Sequence, residues 1–164
     1  MKKLMMLTMC VLASGAAMAV PVEFRDYDAN TGTFTNAVRE CTLVTAETRT
    51  LESGWYAVKE DVVFASDTHL MVEGDAHLIL CDGATLSITN LSGFVAAVDV
   101  SVRDGARNSL TIYGQVNGTG KLIATGGENG AGIGGQNPDG LEGYGGFGAI
   151  TVNGGVVSST SGSY

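Results

Sequence analysis

The feature that most constrains this chain is a pair of apolar residues separated by one residue, which recurs at a regular interval. The first four pairs begin eight residues apart, the next three begin twelve residues apart, and one more follows later. Side chains alternate between the two faces of a β-strand, so each pair predicts a short strand with one buried face. A regular repeat of this kind indicates stacked units. The pairs are Val62/Phe64, Leu70/Val72, Leu78/Leu80, Leu86/Ile88, Val98/Val100, Leu110/Ile112, Leu122/Ala124 and Ile150/Val152.

Turn-forming residues lie in most intervals between these strands. Three sides of about eight residues would close a coil of about 24, and successive coils would stack their inward pairs into one apolar core. The spacing therefore predicts an all-β parallel β-solenoid. A β-sandwich with hairpin connections fits similar spacing, but the near-constant repeat unit favours the solenoid. The predicted corners are Ser66-Asp67, Glu73-Gly74-Asp75, Asp82-Gly83, Asp104-Gly105, Asn117-Gly118 and Asn153-Gly154.

Composition agrees with short strands and tight turns. The 164 residues include 24 glycines and two prolines, and charged residues make up 16% of the chain. Hydrophobic residues make up 45%, which is enough for a packed core and argues against disorder. The formal net charge of −8 argues against a nucleic-acid partner, because phosphate binding requires a basic surface.

The N-terminus has the pattern of a secretory signal peptide. Two lysines follow Met1, an apolar run extends over residues 4–13, and Ala17-Met18-Ala19 ends the segment. The apolar run is too short to span a bilayer, and the small residues at its end suit cleavage. We therefore expect residues 1–19 to be removed, no later membrane span, and a mature chain that is secreted or held at the cell surface.

The mature chain divides into two predicted regions. Residues 20–50 form an N-terminal cap, with a hairpin-like strand over 22–27, a turn over 28–32 and a return over 33–35. A separate extended piece is expected over residues 41–45. Residues 51–164 form the solenoid, which a glycine-rich excursion interrupts over residues 126–148. No polar cap follows the last repeat, so we expect a chain truncated at its C-terminus or a fragment of a longer protein.

Several segments resemble, in the same order, a family of large exported repeat proteins from gut anaerobes. The resemblance covers most of residues 42–157. It implies a right-handed parallel β-helix and a surface, adhesin-like or carbohydrate-binding-like protein of a kind for which no activity is demonstrated. The matching segments are LESGWYAV at 51–58, HLILCDGATL at 77–86, NSLTIYGQ at 108–115, GTGKLIATGG at 118–127 and AGIGG at 131–135.

Two cysteines, Cys41 and Cys81, remain after removal of the signal peptide. An even number in an exported chain is compatible with one disulfide. Two buried, unpaired thiols are the alternative, and the spacing does not decide between them.

Two motifs suggest a cofactor or a metal, and neither has its required context. The run over residues 130–135 satisfies G-x-G-x-x-G, but no predicted helix follows to bind a pyrophosphate. Asp26-x-Asp28-x-Asn30 alternates like a calcium loop, yet its glycine is one position late and Ala37 occupies the position of the final acid. We predict no cofactor, no metal, and an ordinary turn with solvated carboxylates.

His69 and His77 are eight residues apart and are predicted to lie on the outer surface as solvated imidazoles, because Leu70 and Leu78 point inward. No third metal ligand stands at a recognisable spacing from them. Stacking could also bring two carboxylates to the separation of about 5–10 Å that glycosidases use. The candidate acids are Glu73, Asp75, Asp82, Asp99 and Asp104, but Asp-Gly pairs equally form corners.

Aromatic residues are the candidate ligand-binding groups, because sugar rings stack on exposed aromatic faces. They are Trp55, Tyr113, Tyr144 and Phe147. Trp55 and its neighbour Tyr56 have a favoured alternative role in closing the first coil. Tyr144 and Phe147 lie in the glycine-rich excursion, and loops are where binding residues concentrate.

The sequence therefore predicts an exported, non-catalytic β-solenoid with a structural or adhesive role, which presents loops to glycans or to a host or cell-surface protein. A polysaccharide-active enzyme, or a piece of one, on a pectinase-like β-helix is the first alternative, because one fold hosts both roles. A truncated gene product without independent function is the second.

Overall fold

The computed structural model describes residues 19–90, 93–102, 105, 107–135, 146 and 148–162. Over these residues the protein is all-β, without a helix, as the sequence predicts. No segment of this part of the chain is a helix able to cross a membrane. The strands are β1 (Val20–Asp28), β2 (Thr33–Leu43), β3 (Thr50–Leu51), β4 (Gly54–Val58), β5 (Val62–Val63), β6 (Leu70–Val72), β7 (Asp75–Leu80), β8 (Thr85–Thr89), β9 (Val98–Asp99), β10 (Ser109–Gly114), β11 (Lys121–Glu128), β12 (Ile133–Gly134), β13 (Ala149–Val152) and β14 (Val156–Gly162).

The strands form three sheets. Sheet one has the order β1-β2-β4-β7-β10-β13, sheet two has the order β14-β11-β8-β5, and sheet three has the order β12-β9-β6-β3. From β3 onward, consecutive strands enter sheets three, one and two in fixed rotation. All pairing is parallel except that of β1 with β2. Hairpin connections, which a β-sandwich would use throughout, are confined to β1 and β2 in the described structure.

The register of the sheets follows the predicted repeat at first and then lengthens. In sheet two, Val62 of β5 pairs with Leu86 of β8, which is 24 residues later. Leu86 then pairs with Leu122 of β11, an interval of 36 residues. The strands keep their alignment while the connections between them grow, so the apolar rows stay in line.

These rows form one apolar core. Every member of the first seven predicted pairs is buried, with at most 5% of its surface exposed. The prediction is wrong for the last pair: Ile150 and Val152 are 40% and 51% exposed. Both continue the row of Leu110 and Ile112, but β13 is the outermost strand of sheet one, so no further strand covers them.

The N-terminal hairpin is longer than predicted. β1 and β2 pair without interruption from Val20 opposite Cys41 to Asp28 opposite Thr33. The return strand and the separate piece expected at 41–45 are therefore one strand. The end of β2 pairs in parallel with β4, with Thr42 opposite Tyr56. β2 therefore joins the hairpin to the parallel strands of sheet one.

The Asp82-Gly83 corner shows how neighbouring connections are held together. Gly83 has a φ of 82°, which favours glycine. The Asp82 carboxylate accepts hydrogen bonds from the backbone N–H groups of Asn117 and Thr119, each at 3.0 Å. The Gly83 N–H donates to the Thr119 hydroxyl at 3.0 Å. Two turns predicted separately are thus bonded to each other across the stack.

Candidate functional site

An aromatic cluster attaches the hairpin to the outer face of sheet one. Phe24 of β1 is 2% exposed, with its ring centre 5.0 Å from Trp55 and 4.9 Å from Tyr113. Trp55 stacks on His77 at 4.3 Å with an interplanar angle of 11°. Trp55 and His77 are also direct partners in the register of β4 and β7. Because Trp55, His77 and Tyr113 belong to three different strands, Phe24 fixes β1 across the sheet.

Polar contacts hold the same cluster from the sheet side. His77 Nδ1 lies 3.2 Å from the Tyr113 hydroxyl, and His77 Nε2 lies 3.3 Å from a carboxylate oxygen of Asp75. The Ser109 hydroxyl donates to the other Asp75 oxygen. The His77 side chain is only 22% exposed, so it is not the solvated imidazole that the sequence predicts. Leu78 points inward as expected, but the hairpin covers the outer face where His77 lies.

The structure gives the predicted aromatic residues different roles. Tyr113 is 6% exposed, and burial, followed by the charges of Asp26 and Asp75, raises its pKa. It therefore presents no free ring face to a sugar. Tyr56 lies in the inward row opposite Leu78, which agrees with a role in closing the first coil.

Trp55 lies on the opposite face of the sheet from Tyr56, because the two are adjacent in β4. Its ring contacts His77 and also the Arg39 guanidinium, 5.3 Å from the ring centre. Trp55 therefore belongs to the hairpin contact. Tyr144 and Phe147 lie outside the described residues, as does most of the excursion that contains them.

A groove runs between the hairpin and the corners of sheet one, and we call it the hairpin groove. It consists of two cavities that share Gln115 as a wall. The first is about 230 Å³ and is lined by Glu23, Phe24, Asn36, Asp82, Gln115 and Val116. The second is about 140 Å³ and is lined by Arg25, Phe34, Gly114, Gln115, Gly118, Asn153, Gly154 and Gly155.

Gln115 positions the two walls of the groove. Its side-chain amide donates to the backbone carbonyl of Glu23 at 2.8 Å, and its side-chain carbonyl accepts from the Asp82 backbone N–H at 2.8 Å. One side chain thus joins the hairpin to the Asp82 corner. The spacing of the groove walls is consequently set by a bond between residues 92 positions apart in the chain.

Arg25 and Phe34 form the hairpin side of the smaller cavity. The Arg25 guanidinium carbon lies 4.9 Å from the centre of the Phe34 ring, a cation–π distance. Arg25 Nε is buried and has no hydrogen-bond partner in the described structure. Phe34 is 45% exposed, and Val116, which lines the larger cavity of the groove, is 64% exposed. The groove therefore combines apolar surface with an unused donor.

Two further cavities lie at the last strands of the sheets. One, of about 240 Å³, is lined by Arg107, Asn108, Ser109, Gly148 and Ala149. The other, of about 380 Å³, is lined by Asn129, Gly130, Ala131, Ser161 and Gly162. Among the described residues, neither lining includes an aromatic side chain, so the hairpin groove is the better candidate for a binding site.

Three of the candidate acids, Asp75, Asp82 and Asp99, have structural roles. The hydrogen bonds of the Asp82 corner outweigh the effect of burial and lower the pKa of its carboxyl. Asp75 binds Ser109 and His77, and Asp99 is fully buried and accepts from the Ser101 backbone N–H at 2.9 Å. Asp104 lies outside the described residues. The part of the chain that the structure describes groups no three His, Cys, Asp or Glu side chains around a metal position.

The calcium-like run is a turn, as predicted. The Asp28 carboxylate accepts from the Asn30 backbone N–H at 2.8 Å, and the Gly32 N–H donates to the Asp28 carbonyl at 2.8 Å. Hydrogen bonds to the carboxylate, first from the Asn30 backbone N–H and then from the Thr31 side chain, lower the pKa of Asp28.

Cys41 and Cys81 are both buried and are free thiols in the structure, which is the second of the two arrangements compatible with the sequence. Burial, followed by the proximity of Cys81 and Glu40, raises the pKa of Cys41 to about 11. Burial also raises the pKa of Cys81. Both thiols therefore stay protonated and inert at neutral pH.

Comparison of the chain with protein families, with curated proteins and with solved structures finds no match. A function for this protein is therefore argued from the geometry of the described residues.

Sequence reasoning missed Arg25, Phe34 and Gln115. The sequence places Arg25 and Phe34 only in a predicted hairpin, and Gln115 only in a segment of the repeat. A signal was present in Phe34 and Val116, two apolar residues at or beside turn-rich segments where exposure is expected.

Proposed function

We propose that the protein is an exported, non-catalytic, right-handed parallel β-solenoid that presents the hairpin groove to glycans outside the cell or at its surface. The coil would hold the groove rigid, and the groove would bind the glycan. Export rests on the signal-peptide pattern of residues 1–19, and the handedness rests on the family resemblance of the sequence.

The strand order supports the solenoid part of this proposal. Twelve consecutive strands enter three parallel sheets in rotation, and their inward side chains join one apolar core. Hydrogen bonds between stacked corners, such as those of Asp82 with Asn117 and Thr119, are the contacts that a stack of coils would need.

The observation that most supports glycan binding is the free polar surface of the hairpin groove. The side chains of Glu23, Asn36 and Asn153 line it and make no hydrogen bond with another described residue. Carboxylates and amides at such positions can bind sugar hydroxyls. The exposed faces of Phe34 and Val116 can cover the C–H faces of sugar rings.

The structural roles of Asp75, Asp82 and Asp99 favour binding over hydrolysis. A retaining or inverting glycosidase needs one carboxyl as an acid and a second as a nucleophile or base. In this protein Asp75, Asp82 and Asp99 already accept hydrogen bonds from Ser109, Thr119 and Ser101, respectively.

A glycan array on the chain from Val20, with reducing-sugar release measured in parallel, tests this proposal. We expect retention of a subset of glycans and no release. Asn36→Ala should weaken retention, while Thr151→Ala, an exposed substitution on β13, should not. Absence of binding to every glycan would refute the binding role, and release of reducing sugar would establish the enzyme alternative.

A further inference from the structure

We infer that the smaller cavity of the hairpin groove binds a carboxylate, so that the preferred glycans contain uronic acids. This inference deepens the proposed function and depends on it. It assigns Arg25 as the residue that determines specificity for a charged sugar.

The first argument is the state of Arg25. Its Nε is buried without a hydrogen-bond partner in the described structure, and an unsatisfied buried donor is destabilising. No carboxylate of the described residues forms an ion pair with it. The Phe34 ring beneath the guanidinium holds its plane in place, which reduces the entropy lost when a ligand binds. A carboxylate matches the fork of donors that a guanidinium presents, and no carboxylate of the described residues pairs with that fork.

The second argument is the backbone that lines the same cavity. The Gly154 and Gly155 N–H groups donate no hydrogen bond within the described residues. A Cβ at Gly114 would lie 2.5 Å from the Gly155 nitrogen, so this wall accommodates only backbone. Backbone N–H groups beside a guanidinium provide additional donors for an anion.

The size of the cavity limits what it can bind. At about 140 Å³ it is smaller than the roughly 300–1,000 Å³ of pockets that enclose a whole small ligand. It therefore suits one substituent of a larger ligand. The adjoining cavity of about 230 Å³, with Glu23 and Asn36 in its wall, would contact the hydroxyls of the same chain.

The acidity of the protein does not prevent such binding. The formal net charge of −8 repels a polyanion at long range, but the Debye length is about 8 Å at physiological ionic strength. At that ionic strength the attraction between the ligand carboxylate and Arg25 outweighs the repulsion from distant charges, because salt screens the latter. Binding should therefore strengthen or stay constant between low and moderate salt, whereas attraction to a basic surface weakens as salt rises.

The test is an array of oligosaccharides terminated by glucuronate, galacturonate or mannuronate, each printed beside its methyl ester. The ester keeps the sugar and removes the charge. We expect at least one acid to be retained about tenfold or more above its ester, since a hydrogen bond to a charged group contributes about 1.5–3 kcal/mol. Arg25→Gln should abolish that preference, and Arg25→Lys should restore it only in part, because lysine lacks the planar fork.

Arg39→Gln is the matched control, because Arg39 also lies on the hairpin against an aromatic ring but outside the groove. It should leave the preference intact. Equal retention of acids and esters would overturn the inference and leave the proposed glycan binding in place. Retention of no acid, ester or neutral glycan would refute both. An Arg25→Gln variant that still prefers the acid would also overturn it, and an unchanged unfolding midpoint would show that this variant is folded.

Discussion

Asp82 contributes both to its own turn and to the position of a turn much later in the chain. From the sequence, Asp82-Gly83 is a corner, and glycine at positive φ explains why. The sequence does not reveal that the carboxylate accepts hydrogen bonds from Asn117 and Thr119, about 35 residues later. One side chain thereby contributes to the shape of its own turn and to the alignment of the next one.

Asp82→Asn should lower the free energy of unfolding by about 1–2 kcal/mol at pH 7, because a charged acceptor is lost. The pKa of this carboxyl is lowered in the folded protein, so the stabilisation that its ionised form provides is complete above the ordinary aspartate pKa of 3.8 and is lost as the pH falls through the lower pKa of the folded state. The difference between variant and wild type, measured by urea unfolding, should shrink at about pH 2.5. An equal difference at both pH values would contradict this role.

The two cysteines allow a second prediction at the residue scale. The thiolate is the reactive form, and the pKa of Cys41 is raised to about 11. In the mature chain at pH 8, we expect slow labelling of both thiols by iodoacetamide, and rapid labelling of two thiols after unfolding in urea without reductant. Mass spectrometry counts the labels. Failure of both cysteines to react in urea would demonstrate a disulfide.

At the scale of elements, the buried apolar pairs could be predicted because the side chains of successive residues in a strand point to opposite faces, which is a local pattern. All fourteen side chains of the first seven pairs are buried as expected. The outward face is harder to predict, because an outward position in a strand does not show whether other side chains cover it. Tyr113 and His77 point outward from sheet one, yet Phe24 of β1 packs against Tyr113, and the rings of Trp55 and Tyr113 pack against His77. No local pattern in β7 or β10 indicates that a hairpin some 50 residues or more earlier lies across them.

Leu86→Ala should lower the free energy of unfolding by about 2–5 kcal/mol, because it leaves a cavity in the core between paired neighbours Val62 and Leu122. Ile150→Ala in the outermost strand should cost less than about 1 kcal/mol, because Ile150 is already 40% exposed. Chemical unfolding followed by circular dichroism measures both. Equal costs would show that the row of Leu110 and Ile112 is covered beyond β13.

Docking of the hairpin is the second prediction at this scale. Phe24→Ala removes a buried ring and should release β1 from sheet one. Trp55 is the only tryptophan and contacts Phe24, so its fluorescence should shift towards that of a solvated indole. Amide hydrogen exchange should accelerate in β1 more than in β7. Phe34→Ala, also on the hairpin but 45% exposed, is the control and should leave the Trp55 emission unchanged. Identical spectra for all three proteins would contradict the proposed docking.

At the scale of the whole molecule, the proposed site arises only when separate regions meet. The hairpin provides Arg25 and Phe34, one connection provides Gln115, and another provides Gly154 and Gly155. The two connections lie about 80 to 130 positions after the hairpin residues and about 40 positions from each other, so no motif in the sequence could mark them as one site. The sequence instead pointed to the glycine-rich excursion at residues 126–148, because composition identifies loops but not the clefts between elements.

The most direct test of the hairpin groove as the binding site is a titration followed by backbone amide chemical shifts. It uses the chain from Val20 and the oligosaccharide that the array retains most strongly. The groove predicts that the largest shifts occur at Arg25, Phe34, Gln115 and the amides of Gly154 and Gly155, with little change in sheets two and three. Shifts concentrated at residues 126–148, with the hairpin unaffected, would contradict it.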